Sequence, residues 1–89
     1  MANKRDLKKA INYICRDLFS ECIATSLYCN KKDSDEVNSI LTSIIIMRNN
    51  FVRRISHPEP GMKPKVYYKD LKEKFNIESG EIADTIVNM

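Results

Sequence analysis

The sequence contains little that would interrupt a helix. Its 89 residues include only two glycines and three prolines, and all three prolines fall within residues 57–65. Glycine and proline mark turns and loops, so their scarcity over long runs rich in lysine, glutamate, leucine and isoleucine favours helices. A chain of this length forms one domain with a modest hydrophobic core. We therefore predict a single all-α domain that spans residues 1–89.

The sequence also lacks a long apolar run. No stretch approaches the roughly 18 uninterrupted apolar residues of a membrane span. Residues 1–15 are charged and mixed, without the apolar core of a secretory signal. The three cysteines form no C-x-x-C pair, so a disulfide framework is not indicated and free thiols fit a reducing compartment. We predict a cytoplasmic protein that does not enter the membrane.

Residues suited to metal or acid–base chemistry are scarce. Cys15, Cys22 and Cys29 recur every seven residues, which separates successive thiols by about 10.5 Å along a helix, too far to share one zinc ion. His57 is the single histidine and could act as a general base or a pH-sensitive contact. The sequence places no nucleophile or carboxylate pair beside it. We predict no metal site, no cofactor and no enzymatic activity, and we assign the cysteines to helix packing.

Apolar residues recur at three- and four-residue steps in three segments, which predicts three amphipathic helices. The first helix is predicted over about residues 4–29, with Asn3 as its N-cap and Asn30 in the left-handed conformation at its end. The second is predicted over about residues 34–56, with Asp33 or Ser34 as its cap.

The third helix is predicted over about residues 64–87. Pro64 suits its first turn, where a backbone N–H is not needed. Gly80 weakens the helix by about 1 kcal/mol relative to alanine, and we predict that the helix continues through it. The short connections place successive helices side by side. The predicted fold is an antiparallel, up-down-up three-helix bundle, which dimerisation could complete.

The apolar stripes predict which side chains form the core. The predicted set is Leu7, Ile11, Ile14, Cys15, Leu18, Cys22, Thr25 and Cys29, flanked by Ala10, Phe19, Ile23 and Leu27; then Val37, Ile40, Leu41, Ile44, Met47, Phe51 and Ile55; and finally Tyr67, Leu71, Phe75, Ile82 and Ile86, flanked by Tyr68, Ala83 and Val87.

Three consecutive isoleucines, Ile44 to Ile46, complicate the second stripe. They span about 200° of helix, so they cannot all face one core. Either this helix is covered on two sides, or Ile45 and Val52 face a second chain. We name Ile45 and Val52 as candidate interface residues. The leading functional hypothesis is a non-enzymatic protein-interaction or self-associating module, with a protein partner or a second copy of the chain.

An antiparallel layout would gather basic residues at the end that carries the loop between the second and third helices. That end is also where the first helix begins. The alternative hypothesis is therefore nucleic-acid or phosphate binding at this basic end, with salt-sensitive binding of polyanions. A solvated surface of paired charges is the competing interpretation, and it is the one we favour. The candidate ligand-binding residues are Arg53, Arg54, His57, Lys63, Lys65 and Tyr67.

Two segments give the chain a resemblance to a known family. They are residues 1–15, MANKRDLKKAINYIC, and residues 56–71, SHPEPGMKPKVYYKDL. On these segments the chain resembles a family of small, uncharacterised, all-helical proteins of Bacteroidetes-type bacteria. The resemblance covers nearly the whole chain and implies a helical bundle in a bacterial cytoplasm. That family has no assigned activity, so the resemblance implies no site residue.

Overall fold

The computed structural model describes residues 4–30 and 34–89. Its secondary structure is three helices, α1 (Lys4–Tyr28), α2 (Asp35–Ser56) and α3 (Pro64–Val87), with no strand in the described ranges. The predicted all-α fold is confirmed, and each helix begins and ends within one residue of its predicted bound.

Local capping signals set the ends of α1 and α2. The Ser34 hydroxyl accepts a hydrogen bond from the Val37 backbone N–H at 3.2 Å, which satisfies one amide of the first turn of α2. Asn30 has a φ of 59° just after α1 and is the one described non-glycine residue with a positive φ. Both predictions are confirmed. The other predicted caps, Asn3 and Asp33, lie outside the described residues.

The third helix is continuous, as predicted. Pro64 occupies its first turn, and Gly80 lies within the helix without breaking it. Proline is tolerated at this position because the first N–H groups of a helix have no partner within the helix. The third helix therefore runs without a break from Pro64 to Val87.

Contacts between helices establish the antiparallel layout. The Arg48 side chain of α2 donates to the Asn12 side chain of α1 at 2.7 Å. At the loop end, the Tyr67 hydroxyl of α3 donates to the Arg54 carbonyl of α2 at 2.9 Å. The first half of α1 and the first half of α3 therefore both lie against the second half of α2. The result is an elongated up-down-up bundle of 47 × 20 × 17 Å.

One hydrophobic core runs through all three helices. Phe51 of α2 and Phe75 of α3 pack edge to face there, with ring centroids 5.3 Å apart and an interplanar angle of 78°. Every buried apolar residue in the described ranges belongs to the predicted set. These residues are Leu7, Ile11, Cys15, Leu18, Cys22, Val37, Ile40, Ile44, Met47, Phe51, Ile55, Leu71, Phe75 and Ile86.

Several flanking residues were wrongly predicted to be buried. In the last two turns of α1, residues 22–28, the buried positions are Cys22 and Ser26, whereas Ile23 and Leu27 are exposed. Each of those exposed residues follows a buried one, and a single step along a helix rotates the side chain by about 100°. The same step exposes Val87, which follows the buried Ile86.

Two small residues of the predicted core are also exposed. Ala10 is exposed at the edge of a small depression between α1 and α3. Cys29 lies just beyond the end of α1 and is exposed, whereas Cys15 and Cys22 are buried. The predicted cysteine stripe is therefore core for two of its members only, because the third lies where the helix has ended.

Candidate functional site

The loop over residues 57–63 and the adjoining helix ends enclose an open cleft of about 590 Å³. Three of the predicted ligand-binding residues, Arg54, His57 and Tyr67, line this cleft. The other three, Arg53, Lys63 and Lys65, are exposed but do not line it. The structure thus brings together half of the predicted set and leaves the rest on the outer surface.

The cleft is mixed in charge rather than basic. Glu59 and Asp70 line it together with Arg54 and Lys74. The Lys74 ammonium lies 3.0 Å from an Asp70 carboxylate oxygen. A phosphate entering the cleft would meet two carboxylates, which oppose a bound anion. Nucleic-acid or phosphate binding at this end stays a prediction from the sequence.

The two tyrosines that open α3 have a structural role. The Tyr67 hydroxyl donates to the Arg54 carbonyl at 2.9 Å, and the Tyr68 hydroxyl donates to the Ile55 carbonyl at 3.4 Å. Carbonyl groups in the last turn of a helix have no partner within that helix. Tyr67 and Tyr68 therefore cap the end of α2 from α3. This contact crosses the loop and has no periodic signal, so the sequence could not reveal it.

We expect Tyr67→Phe to lower the free energy of unfolding by about 1 kcal/mol. The substitution removes the hydrogen bond from the Tyr67 hydroxyl, so the Arg54 carbonyl loses its donor from α3. Urea denaturation followed by circular dichroism measures the change. Tyr28→Phe is the matched control, since Tyr28 is almost fully exposed, and it should change stability by less than about 0.5 kcal/mol. Equal effects of the two substitutions would contradict the capping role.

A second depression lies between α1 and α2, on the side of the bundle away from α3. This α1/α2 groove has a volume of about 360 Å³. Phe19 and Ile45 form much of its apolar floor, and Ile45 is 48% exposed. The lining residues are Asn12, Cys15, Arg16, Phe19, Ser20, Ile44, Ile45 and Arg48.

The rim of the α1/α2 groove is basic. No carboxylate is among the lining residues, which include Arg16 and Arg48. The Arg48 guanidinium donates to the Asn12 and Asn49 side-chain oxygens at 2.7 and 2.9 Å. Arg16 has no ion-pair partner within residues 4–30 and 34–89. Neither arginine forms an ion pair in the described part of the chain, so both place a positive charge beside the apolar lining of the groove.

Cys15 lies at the bottom of this groove, where its thiol is buried. Burial raises the pKa of the Cys15 thiol, and the positive charge of Arg48 offsets part of that rise. A raised pKa keeps the thiol protonated and weakly nucleophilic at neutral pH. Cys15 therefore contributes packing to the groove rather than reactivity.

The three consecutive isoleucines face three directions. Ile44 is buried, Ile45 lines the α1/α2 groove, and Ile46 faces a shallow depression between α2 and α3. Val52 is half-buried and packs against the core. The α1 and α3 helices thus flank α2 on two sides, yet Ile45 and Ile46 stay exposed. Of the two candidate interface residues, Ile45 is the more exposed. Sequence periodicity did not identify the two arginines that border Ile45.

Three further observations bear on function. None of the helices in the described ranges is long and apolar enough to cross a membrane. No group of histidine, cysteine, aspartate or glutamate side chains within residues 4–30 and 34–89 is arranged to hold a metal ion. Comparison of the chain with protein-family models, curated proteins and solved structures found no match. The resemblance of residues 1–15 and 56–71 to a bacterial family stays a prediction.

Proposed function

We propose that the chain is a non-enzymatic protein-interaction module that associates with itself through the α1/α2 groove. The supporting observation is the exposure of Ile45 beside Phe19 in a groove that no element of the described chain covers. Burying apolar surface stabilises an association by about 25 cal/mol for each Å² removed from water. An open groove between two antiparallel helices is also where helical bundles accept a further helix.

The other cleft supports a non-enzymatic role. The residues that line it around His57 include no serine, threonine or cysteine. A nucleophile within hydrogen-bond reach of a base is the usual arrangement for covalent catalysis. Three of its side chains take part in structural contacts: Tyr67 donates to the end of α2, and Lys74 pairs with Asp70.

We assign this function to the bacterial cytoplasm. The cysteines at positions 15, 22 and 29 are all free thiols. Free thiols persist in reducing compartments, whereas secreted domains of this size usually form disulfides. The bacterial setting follows from the family resemblance of the opening segment and the loop.

Self-association at micromolar concentration is the direct consequence of this proposal. We expect Ile45→Glu to weaken it at least about 100-fold, because an unpaired charge in a buried contact costs several kcal/mol. Analytical ultracentrifugation over a range of concentrations measures the effect. Val87→Glu is the control, since Val87 is 80% exposed at the far end of α3. A wild-type chain that sediments only as a monomer up to high micromolar concentration would contradict the proposal.

A further inference from the structure

The outer face of α3 carries an acidic ridge, formed by Glu73, Ile77, Gly80 and Glu81. Residues four apart lie on the same side of a helix, so Glu73, Ile77 and Glu81 form one row. All four residues are exposed, and Ile77 is 62% exposed. The two carboxylates lie about 12 Å apart along the helix axis, with the isoleucine midway between them.

The carboxylates of the acidic ridge are not neutralised by the fold. Glu73 and Glu81 have no ion-pair partner in the described part of the chain. Of the three lysines near Glu73, Lys74 is paired with Asp70, and Lys69 and Lys72 form no ion pair with either carboxylate in the described part of the chain. The ridge therefore presents a large apolar side chain between two carboxylates without an ion pair, and Glu81, which has no lysine within four residues of it, is the part most complementary in charge to the α1/α2 groove.

Gly80 leaves open space beside Ile77 on the acidic ridge. A Cβ added at Gly80 would meet nothing within 4 Å, so neither a turn nor close packing inside the chain requires glycine there. Glycine in the middle of a helix costs about 1 kcal/mol relative to alanine. A residue without a side chain allows another backbone to approach closely, and such an approach from outside would account for this glycine.

We propose that the acidic ridge of one copy binds the α1/α2 groove of a second copy. This inference rests on the proposed function and names its partner. Ile77 enters the groove beside Phe19 and Ile45, where its apolar surface leaves water. The carboxylates of the ridge then oppose the guanidinium groups at the rim of the groove. Opposite charges across an interface orient the partners and speed their encounter.

The alternative pairing of two grooves is disfavoured by charge. It would bring Arg16 and Arg48 of both copies together without any carboxylate in the lining of either groove. Like charges opposed across an interface cost several kcal/mol. Ridge-to-groove pairing avoids that cost and joins two different surfaces, so a pair of copies keeps one free ridge and one free groove. Such heterologous contacts generate rings or open filaments rather than closed dimers.

A pair of complementary variants tests this arrangement. Ile45→Glu places a negative charge in the groove and leaves the ridge intact, whereas Ile77→Lys places a positive charge on the ridge and leaves the groove intact. We expect each variant alone to sediment as a monomer. We expect an equimolar mixture to form complexes that contain both variants, because the intact ridge of one still fits the intact groove of the other. One variant carries a fluorophore on the exposed Cys29 to follow the mixture.

The outcomes separate the inference from the proposed function. If the wild-type chain is monomeric, both fail. If it self-associates and only Ile45→Glu disrupts this, the groove is the contact but the ridge is not its partner, and the inference is overturned. A mixture that stays monomeric also overturns it. Val87→Lys, at another exposed position of α3, should associate as the wild-type chain does, and circular dichroism confirms that every variant remains helical.

Discussion

Phe51→Ala is expected to remove about 3–5 kcal/mol of folding stability, the usual cost of truncating a buried phenylalanine. Phe51 is 1% exposed, lies 5.3 Å from the ring of Phe75, and has the Arg54 guanidinium 5.1 Å from its own ring centre. The substitution leaves a cavity where α2 meets α3 and removes both ring interactions. A small domain with a stability near 5 kcal/mol would keep only about 0–2 kcal/mol after this change.

Thermal and urea denaturation followed by circular dichroism measure this loss. The midpoint of thermal unfolding should fall by at least about 12 °C, at about 4–8 °C for each kcal/mol in a domain of this size. The matched control is Ile46→Ala, a truncation on the same helix at an exposed position, with an expected cost below about 1 kcal/mol. Similar costs for Phe51→Ala and Ile46→Ala would show that the α2–α3 packing described above is wrong.

The three cysteines are expected to react with a thiol reagent at very different rates. Cys29 is exposed, whereas Cys22 is fully buried and Cys15 keeps only 4% of its surface exposed in the α1/α2 groove. This exposure is too small for a reagent to reach either buried thiol unless the helices move apart. An opening free energy of about 5 kcal/mol slows their modification by at least about 1,000-fold relative to Cys29. Burial also raises the pKa of the Cys22 thiol, which lowers its thiolate fraction at any given pH and slows the reaction further.

A colorimetric disulfide reagent at pH 8 measures this difference as one fast and two slow thiols per chain. In denaturing urea all three should react quickly, and Cys29→Ser should abolish only the fast phase. Two fast thiols in the native protein would contradict the packing of α1.

The raised pKa values of the Cys15 and Cys22 thiols also predict that stability depends on pH. As pH rises, the thiols of the unfolded chain lose their protons before the buried thiols of the folded chain do. The contribution of these two thiols to the free energy of unfolding is therefore fully present below the ordinary pKa of 9.0, and it is lost as pH rises above that value.

Local chemistry accounts for the parts of the fold that the sequence predicted well. The Ser34 cap, the left-handed Asn30 and the first-turn Pro64 each act within a few residues of a helix end. A three- and four-residue period likewise specifies a buried stripe without reference to any other helix. These features depend on nearest neighbours along the chain, so they could be predicted before the helices were brought together.

The edges of each buried stripe could not be predicted in the same way. Ile23 and Leu27 continue the apolar pattern of α1 but are exposed. Whether such a residue is covered depends on how a neighbouring helix is rotated and where it ends. The contact from Tyr67 to the end of α2 likewise joins residues on both sides of the loop. Contacts of this kind depend on how two helices pack against each other. The periodicity of one helix does not predict them.

The same division applies to the candidate interaction surfaces. The sequence by itself determined that Ile44, Ile45 and Ile46 point in different directions, because the helix rotates by about 100° at each residue. Only the tertiary structure decided which of them remains exposed and what borders it. Arg16 and Arg48 are far apart in sequence but line the same groove, since antiparallel packing of α1 and α2 places them there. The helices thus follow from local periodicity, whereas the basic groove exists only because two of them pack together.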